Sequence, residues 1–183
     1  MYRNHIISIF IVCLSVNCFS QTYIWKKNES NPRWKISLDD IYEINKSKQE
    51  LVMKIKGNSI YEVYQSGYDR AGNPSLVGGG MIFQFYGNPS KCYMYFGNEY
   101  NQRLKYIVKN GTCYEVYNND SRNVEKLMIK EGRNVFYTND NSEFGNYDLA
   151  GRYEVKSGSE PPIEFIFYLI NLKRVNEWEN WIS

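Results

Sequence analysis

Two short hairpins constrain this chain more than any other feature. Asn110-Gly111 separates an alternating segment at 103–109 from another at 112–117. A two-residue loop of that composition favours a type I′ turn, because both central residues need positive φ. Gly57-Asn58 stands in the same relation to segments 50–56 and 59–65. A loop this short also fixes register, so Lys109 should oppose Thr112, Val108 Cys113, Tyr106 Glu115 and Leu104 Tyr117.

Further alternating segments at 33–38, 80–86, 91–96, 124–130, 134–138, 150–156 and 163–174 are bounded by Gly, Asn, Asp and Pro. Strands at such close, regular spacing indicate an antiparallel all-β protein. The expected fold is a meander that closes into a barrel or stacks as a two-sheet sandwich, with a short C-terminal helix over 175–181.

Superposing the two hairpins reveals an internal repeat. The segment from Leu51 to Tyr64 matches the segment from Leu104 to Tyr117 without a gap, sharing Leu, Lys and the run Tyr-Glu-Val-Tyr. At the same offset Tyr42, Asn45 and Gln49 meet Tyr95, Asn98 and Gln102, while Gly79, Phe83 and Asn88 meet Gly132, Phe136 and Asn141. The expected repeat units are 42–88 and 95–141, two related meanders within one domain at 21–183.

Residues 1–20 read as a leader. Arg3 lies in a short polar start, an apolar run extends from Ile6 to Val16, and Cys18 and Ser20 precede a cleavage site before Gln21. The apolar run would reach roughly 17 Å as a helix, against about 30 Å of hydrocarbon, so it is too short to span a bilayer. The expectation is an exported protein, secreted or periplasmic, with no membrane span.

Export has chemical consequences. His5 is the only histidine and lies in the leader, so the processed chain would hold no imidazole for a catalytic triad, a zinc site or a pH switch near neutrality. No cofactor or metal is expected. The formal charge is +2, and the leader carries off one base and no acid, so no nucleic-acid partner is implied. Cys13 and Cys18 leave with the leader, while Cys92 and Cys113 remain. In a meander these two would sit on strands flanking a common neighbour, about 9.6 Å apart, whereas a bridge needs Cα atoms within about 7 Å. Free thiols are therefore expected.

The hairpin registers place Leu104, Tyr106, Val108, Cys113, Glu115 and Tyr117 on one face, matched in the first copy by Leu51, Met53, Ile55, Ile60, Glu62 and Tyr64. Lys54, Lys56, Lys105 and Lys109 fall on the other, wetter face. Glu62 and Glu115 are the anomaly, since a carboxylate among apolar neighbours must be paired, protonated or solvated. The leading expectation is a non-enzymatic domain binding a small apolar or carbohydrate ligand around Tyr64, Tyr106 and Tyr117, oriented by Glu62 and Glu115. One alternative is a carboxylate-based hydrolase, for which those two carboxyls would lie about 5 to 9.5 Å apart across one pocket. The other is a surface or assembly protein that recruits another chain through strand edges or an aromatic patch.

Two remaining stretches carry weaker signals. Gly78-Gly79-Gly80 precedes a strand rather than a helix, so it reads as a flexible lead-in and not as a phosphate loop. The oxygen-rich segments 118–123 and 139–143 lack the spacing of a twelve-residue calcium loop.

Overall fold

The computed structural model describes residues 21–71, 74–96, 98–137, 152–157 and 160–182. Residues 1–20, expected to be a leader, and the segment 139–143 lie outside the described residues.

Twelve antiparallel strands form one closed barrel in simple up-and-down order. They are β1 (Gln21–Lys26), β2 (Trp34–Ser37), β3 (Asp40–Asn45), β4 (Lys48–Lys56), β5 (Ser59–Tyr68) and β6 (Pro74–Tyr86). The circuit continues through β7 (Ser90–Phe96), β8 (Asn98–Lys109), β9 (Thr112–Val116), β10 (Val124–Glu131), β11 (Asn134–Tyr137) and β12 (Tyr153–Ser157). Pairing of β1 with β12 closes the circle, with Ile24 opposite Val155. The expected meander is thus a barrel and not a sandwich. Its two guiding registers hold: Lys109 opposes Thr112, Val108 opposes Cys113 and Tyr106 opposes Glu115, while Met53 opposes Glu62. Pairing between β8 and β9 ends there and does not continue to Leu104 and Tyr117.

The segment 163–174 is not a strand. A single helix, α1 (Ile163–Ile182), replaces both the expected last strand and the shorter helix after it. Phe165, Ile166, Phe167, Tyr168, Leu169 and Ile170 are all buried, whichever way they point around the helix. A helix that is apolar all round must be enclosed on every side, and here the enclosure is the barrel. Phe165 meets Phe85 of β6 edge-on, with ring centres 5.2 Å apart, and Tyr168 lies 4.5 Å from Phe83. Asn171 reaches other parts of the wall, donating to the Tyr106 hydroxyl of β8 and accepting from the Tyr137 hydroxyl of β11 at 3.5 Å.

Geometry explains why a helix is needed. Twelve strands at about 4.8 Å spacing make a ring roughly 18 Å across before tilt widens it, too wide for wall side chains alone to fill. A helix about 10 Å thick takes up the difference. Residues Pro161-Pro162 precede its start, Glu164 stands in its first turn, and the Ser90 hydroxyl donates to Glu164 at 2.5 Å. A carboxylate there also meets the positive end of the helix dipole.

The wall carries a regular irregularity. Ile41 and Tyr42 of β3 face Met53 and Leu51, leaving Val52 as an extra residue in β4. The same bulge recurs at Ile82 in β6, opposite Ile60-Tyr61, at Lys105 in β8, opposite Cys92-Tyr93, and at Leu127 in β10, opposite Cys113-Tyr114. Each lies four residues ahead of the last paired residue of its strand, Lys56, Tyr86, Lys109 or Glu131. Bulges bend and twist a strand, and a ring of them at one level is a means of curving a sheet to closure.

The bulges also modify the inside-outside pattern. Lys54, Lys56 and Lys109 are exposed as expected. Lys105 is not part of that outer set: as the bulged residue it turns to Glu115, 2.5 Å away. In β4 the extra residue places Val52 beside Met53 against the core and leaves Leu51 opposite Tyr42. Of the expected repeat units 42–88 and 95–141, the first parts run through corresponding strands, β3 to β5 and β7 to β9. Downstream the matches diverge, because Phe83 lies in β6 directly after the first hairpin and Phe136 in β11, two strands after the second.

Candidate functional site

The pocket of interest lies between one face of α1 and the wall from β2 to β7, with a volume of about 330 Å³. Tyr168 and Leu172, one helical turn apart, form its helix side. Trp34 and Tyr95 add aromatic wall, and Val52, Ile82 and Met94 supply aliphatic surface. The two bulged residues Val52 and Ile82 reach the pocket because an extra residue turns both members of a Val-Met or Ile-Phe pair inward.

Two glutamates complete the lining, Glu43 from β3 and Glu62 from β5, and among the described residues no basic side chain belongs to it. The Tyr64 hydroxyl donates to Glu62. This bond to a carboxylate raises the Tyr64 pKa, and the negative charge of Glu62 adds to the effect. Tyr168 is held well above its ordinary range, first by burial and then by the charge of Glu62.

Trp34 contributes the least satisfied group. Trp34 is 2% exposed, and its indole Nε1–H has no hydrogen-bond partner among the described residues. A buried donor left unpaired costs about 1–3 kcal/mol, and this nitrogen, closed to solvent, is a cost carried within the wall and not a group presented to the pocket.

Tyr64 sits at the rim, exposed, with its ring over Gly79. A Cβ at Gly79 would run into that ring and lie 2.9 Å from Cβ of Glu62. Gly78-Gly79-Gly80 is therefore part of β6, where the backbone passes closely beneath an aromatic ring, and not a lead-in ahead of the strand.

The residues singled out from the sequence do not converge on one place. Glu62 lines the pocket and Tyr64 borders it through that glutamate. Tyr106 is 2% exposed and belongs to the helix contact. Tyr117 is exposed beyond the end of β9, where its hydroxyl approaches Glu125 at 3.1 Å and Glu115 at 3.4 Å. Partial desolvation and these two carboxylates push its pKa up to about 12. Glu115 is outside the pocket and engaged by Lys105.

Sequence reasoning missed Trp34, Glu43 and Tyr168 as site residues. One signal was present: of the four Tyr-Glu pairs in the sequence, three, Tyr42-Glu43, Tyr61-Glu62 and Tyr114-Glu115, come directly after the buried residue opposite a bulge, and Tyr153-Glu154 does not. The fourth equivalent, Tyr93-Met94, has methionine at that position. These residues form one level of the barrel, and the pocket is lined by three of the four, Glu43, Glu62 and Met94.

Cys92 and Cys113 are both free and buried. Burial pushes each thiol up strongly, with nearby Glu164 adding to the effect for both. In the segment 118–123, Asp120 is held below the usual carboxylate range by its hydrogen bonds from Arg122. Asn119 is also engaged, accepting from the backbone N–H of Leu104 at 2.9 Å. No protein-family model, curated protein or solved structure matches this chain.

Proposed function

We propose that this protein is an exported, non-enzymatic carrier or receptor that holds a small organic molecule in the pocket between α1 and the wall. The lining of the pocket carries the reading: one volume of about 330 Å³ gathers Trp34, Tyr95 and Tyr168, aliphatic side chains and the two carboxylates Glu43 and Glu62. The volume lies at the lower end of the range for small-molecule sites, which pair apolar walls with a few fixed polar groups. The leader at 1–20 supports export.

The ligand seat proposed here is centred on Trp34, Tyr95 and Tyr168 instead of Tyr64, Tyr106 and Tyr117. Support for a hydrolase using Glu62 and Glu115 is weak, because Glu115 is bound to Lys105 and does not line the pocket that Glu62 lines.

Ligand-observed NMR against neutral, cationic, anionic and sugar fragments tests this, with Val52→Phe as the variant that fills the pocket. Fragments that bind the natural protein and not the folded variant are the expected result. A fragment set that treats the two proteins alike overturns it.

A reading as an assembly protein draws on a different observation. Beyond the barrel rim β5 and β6 continue as a two-stranded ribbon through Tyr68 and Pro74, exposing Tyr64, Tyr68, Leu76 and Val77. Exposed apolar residues grouped in this way are typical of contact surfaces. Sedimentation of the natural protein and of Tyr68→Ser/Leu76→Ser separates this role from ligand binding.

A further inference from the structure

The barrel contains its own control for what the pocket should bind. Glu62 and Glu115 occupy equivalent places in the two repeated hairpins, each following a Tyr on β5 or β9 and each opposite a core residue, Met53 or Tyr106. The preceding strand has its bulge next to that core residue in both copies. In the second copy the bulged residue is Lys105, and its ammonium group meets Glu115 at 2.5 Å. In the first copy the bulged residue is Val52. One hairpin thus answers its inward carboxylate with a built-in cation, and the other has a valine where that cation would stand.

The space left by the missing lysine is the pocket. Val52 and Glu62 both line it, Glu43 adds a second carboxylate, and Ile82, the bulged residue on the other side of Glu62, is also aliphatic. Trp34, Tyr95 and Tyr168 present ring surface to the same volume. Carboxylates in a partly desolvated, aromatic-walled pocket select for positive charge, through ion pairing and through attraction of a cation to ring faces.

We infer that the pocket binds a small organic ammonium compound, its ammonium group taking beside Glu62 the place that Lys105 takes beside Glu115. This rests on the reading of the pocket as a ligand seat and specifies its chemistry.

The test pairs amines with neutral isosteres, from ethanolamine and ethylene glycol to benzylamine and benzyl alcohol, with affinities measured by ligand-observed NMR on the full folded protein. Amines should bind at least about tenfold more tightly than their isosteres, a ratio within reach of a desolvated cation–π contact together with an ion pair. Glu62→Gln, which keeps an acceptor for Tyr64, should reduce that preference to near unity. Val52→Lys should abolish amine binding by supplying the cation internally, while Val52→Met, similar in reach and neutral, should retain it. Circular dichroism establishes that each variant is folded, and Glu62→Gln decides the matter alone if Val52→Lys does not fold. Neutral isosteres that bind as well as the amines and are excluded by Val52→Phe would overturn the ammonium assignment and leave the ligand seat standing. If neither class binds, both are overturned.

Discussion

Asn171 of the central helix donates its side-chain amide hydrogen to the hydroxyl of Tyr106 in the barrel wall. Tyr137 approaches the same side chain from β11 at 3.5 Å, so one amide ties the plug to two parts of the wall. Replacing Asn171 by Leu removes both bonds and leaves a buried tyrosine hydroxyl short of a partner, a change worth about 1–3 kcal/mol. Urea unfolding should register that loss. Tyr106→Phe combined with Asn171→Leu should cost less than the sum of the two single changes, because they share one bond.

Gly79 makes a sharper steric prediction. A methyl group there would strike the Tyr64 ring and crowd Cβ of Glu62, so Gly79→Ala should destabilise the barrel by about 1–3 kcal/mol, as overpacking does. Tyr64→Ala in the same chain should recover part of that loss in thermal unfolding. Equal destabilisation of the single and double variants would show that the tyrosine ring is not what limits the site.

Alkaline pH should weaken the fold in a defined order. Burial raises the pKa of Cys92, Cys113, Tyr106 and Tyr168. Groups whose folded pKa lies above the unfolded value hold their protons more firmly when folded, so stability is complete below the unfolded pKa and falls as pH climbs past it. The decline should begin above about pH 8.5, where unfolded thiols ionise, and steepen beyond about pH 10 with the tyrosines. Urea midpoints measured from pH 7 to 11 check this, and a level profile across that interval would contradict it. In native protein at pH 8 both thiols should resist a thiol reagent that labels them fully in urea.

Lys105→Met should be mild. The pair with Glu115 is partly solvated, at 37% and 23% side-chain exposure, so its loss should cost at most about 1 kcal/mol. The informative readout is salt: added sodium chloride should weaken the natural protein more than the variant.

The hairpins and barrel class were legible because Asn110-Gly111 and Gly57-Asn58 fix both turn type and register. The bulges were not, since an extra residue within Val52-Met53 or Ile82-Phe83 reads as one more apolar residue in a strand. β1 was passed over where it abuts the apolar N-terminal segment. β3 was passed over because Tyr42 and Ile44 on one face are as apolar as Ile41 and Glu43 on the other, which erases the alternation. The run at 163–170 has no period that separates a buried helix from a buried strand. Pro161-Pro162 followed by Glu164 was the available helix signal. Trp34 could be read as a strand residue, but its place in the pocket lining beside Tyr168 of the helix is a fact of three dimensions.

Removal of α1 should be the most damaging change. A chain ending before Pro161 would leave the apolar inner wall facing water, and loss of side chains such as Phe165 and Leu169 forfeits about 1.5–3 kcal/mol each. Such a chain should bind a hydrophobic dye and lose cooperative unfolding.

The plug follows every strand in chain order, and the first strand must find the twelfth before the ring is complete. Contacts that join distant parts of a chain form slowly. A ribosome that still holds the C-terminal segment therefore holds back the whole molecule: the barrel matures only after release, and until then its lining is available to chaperones.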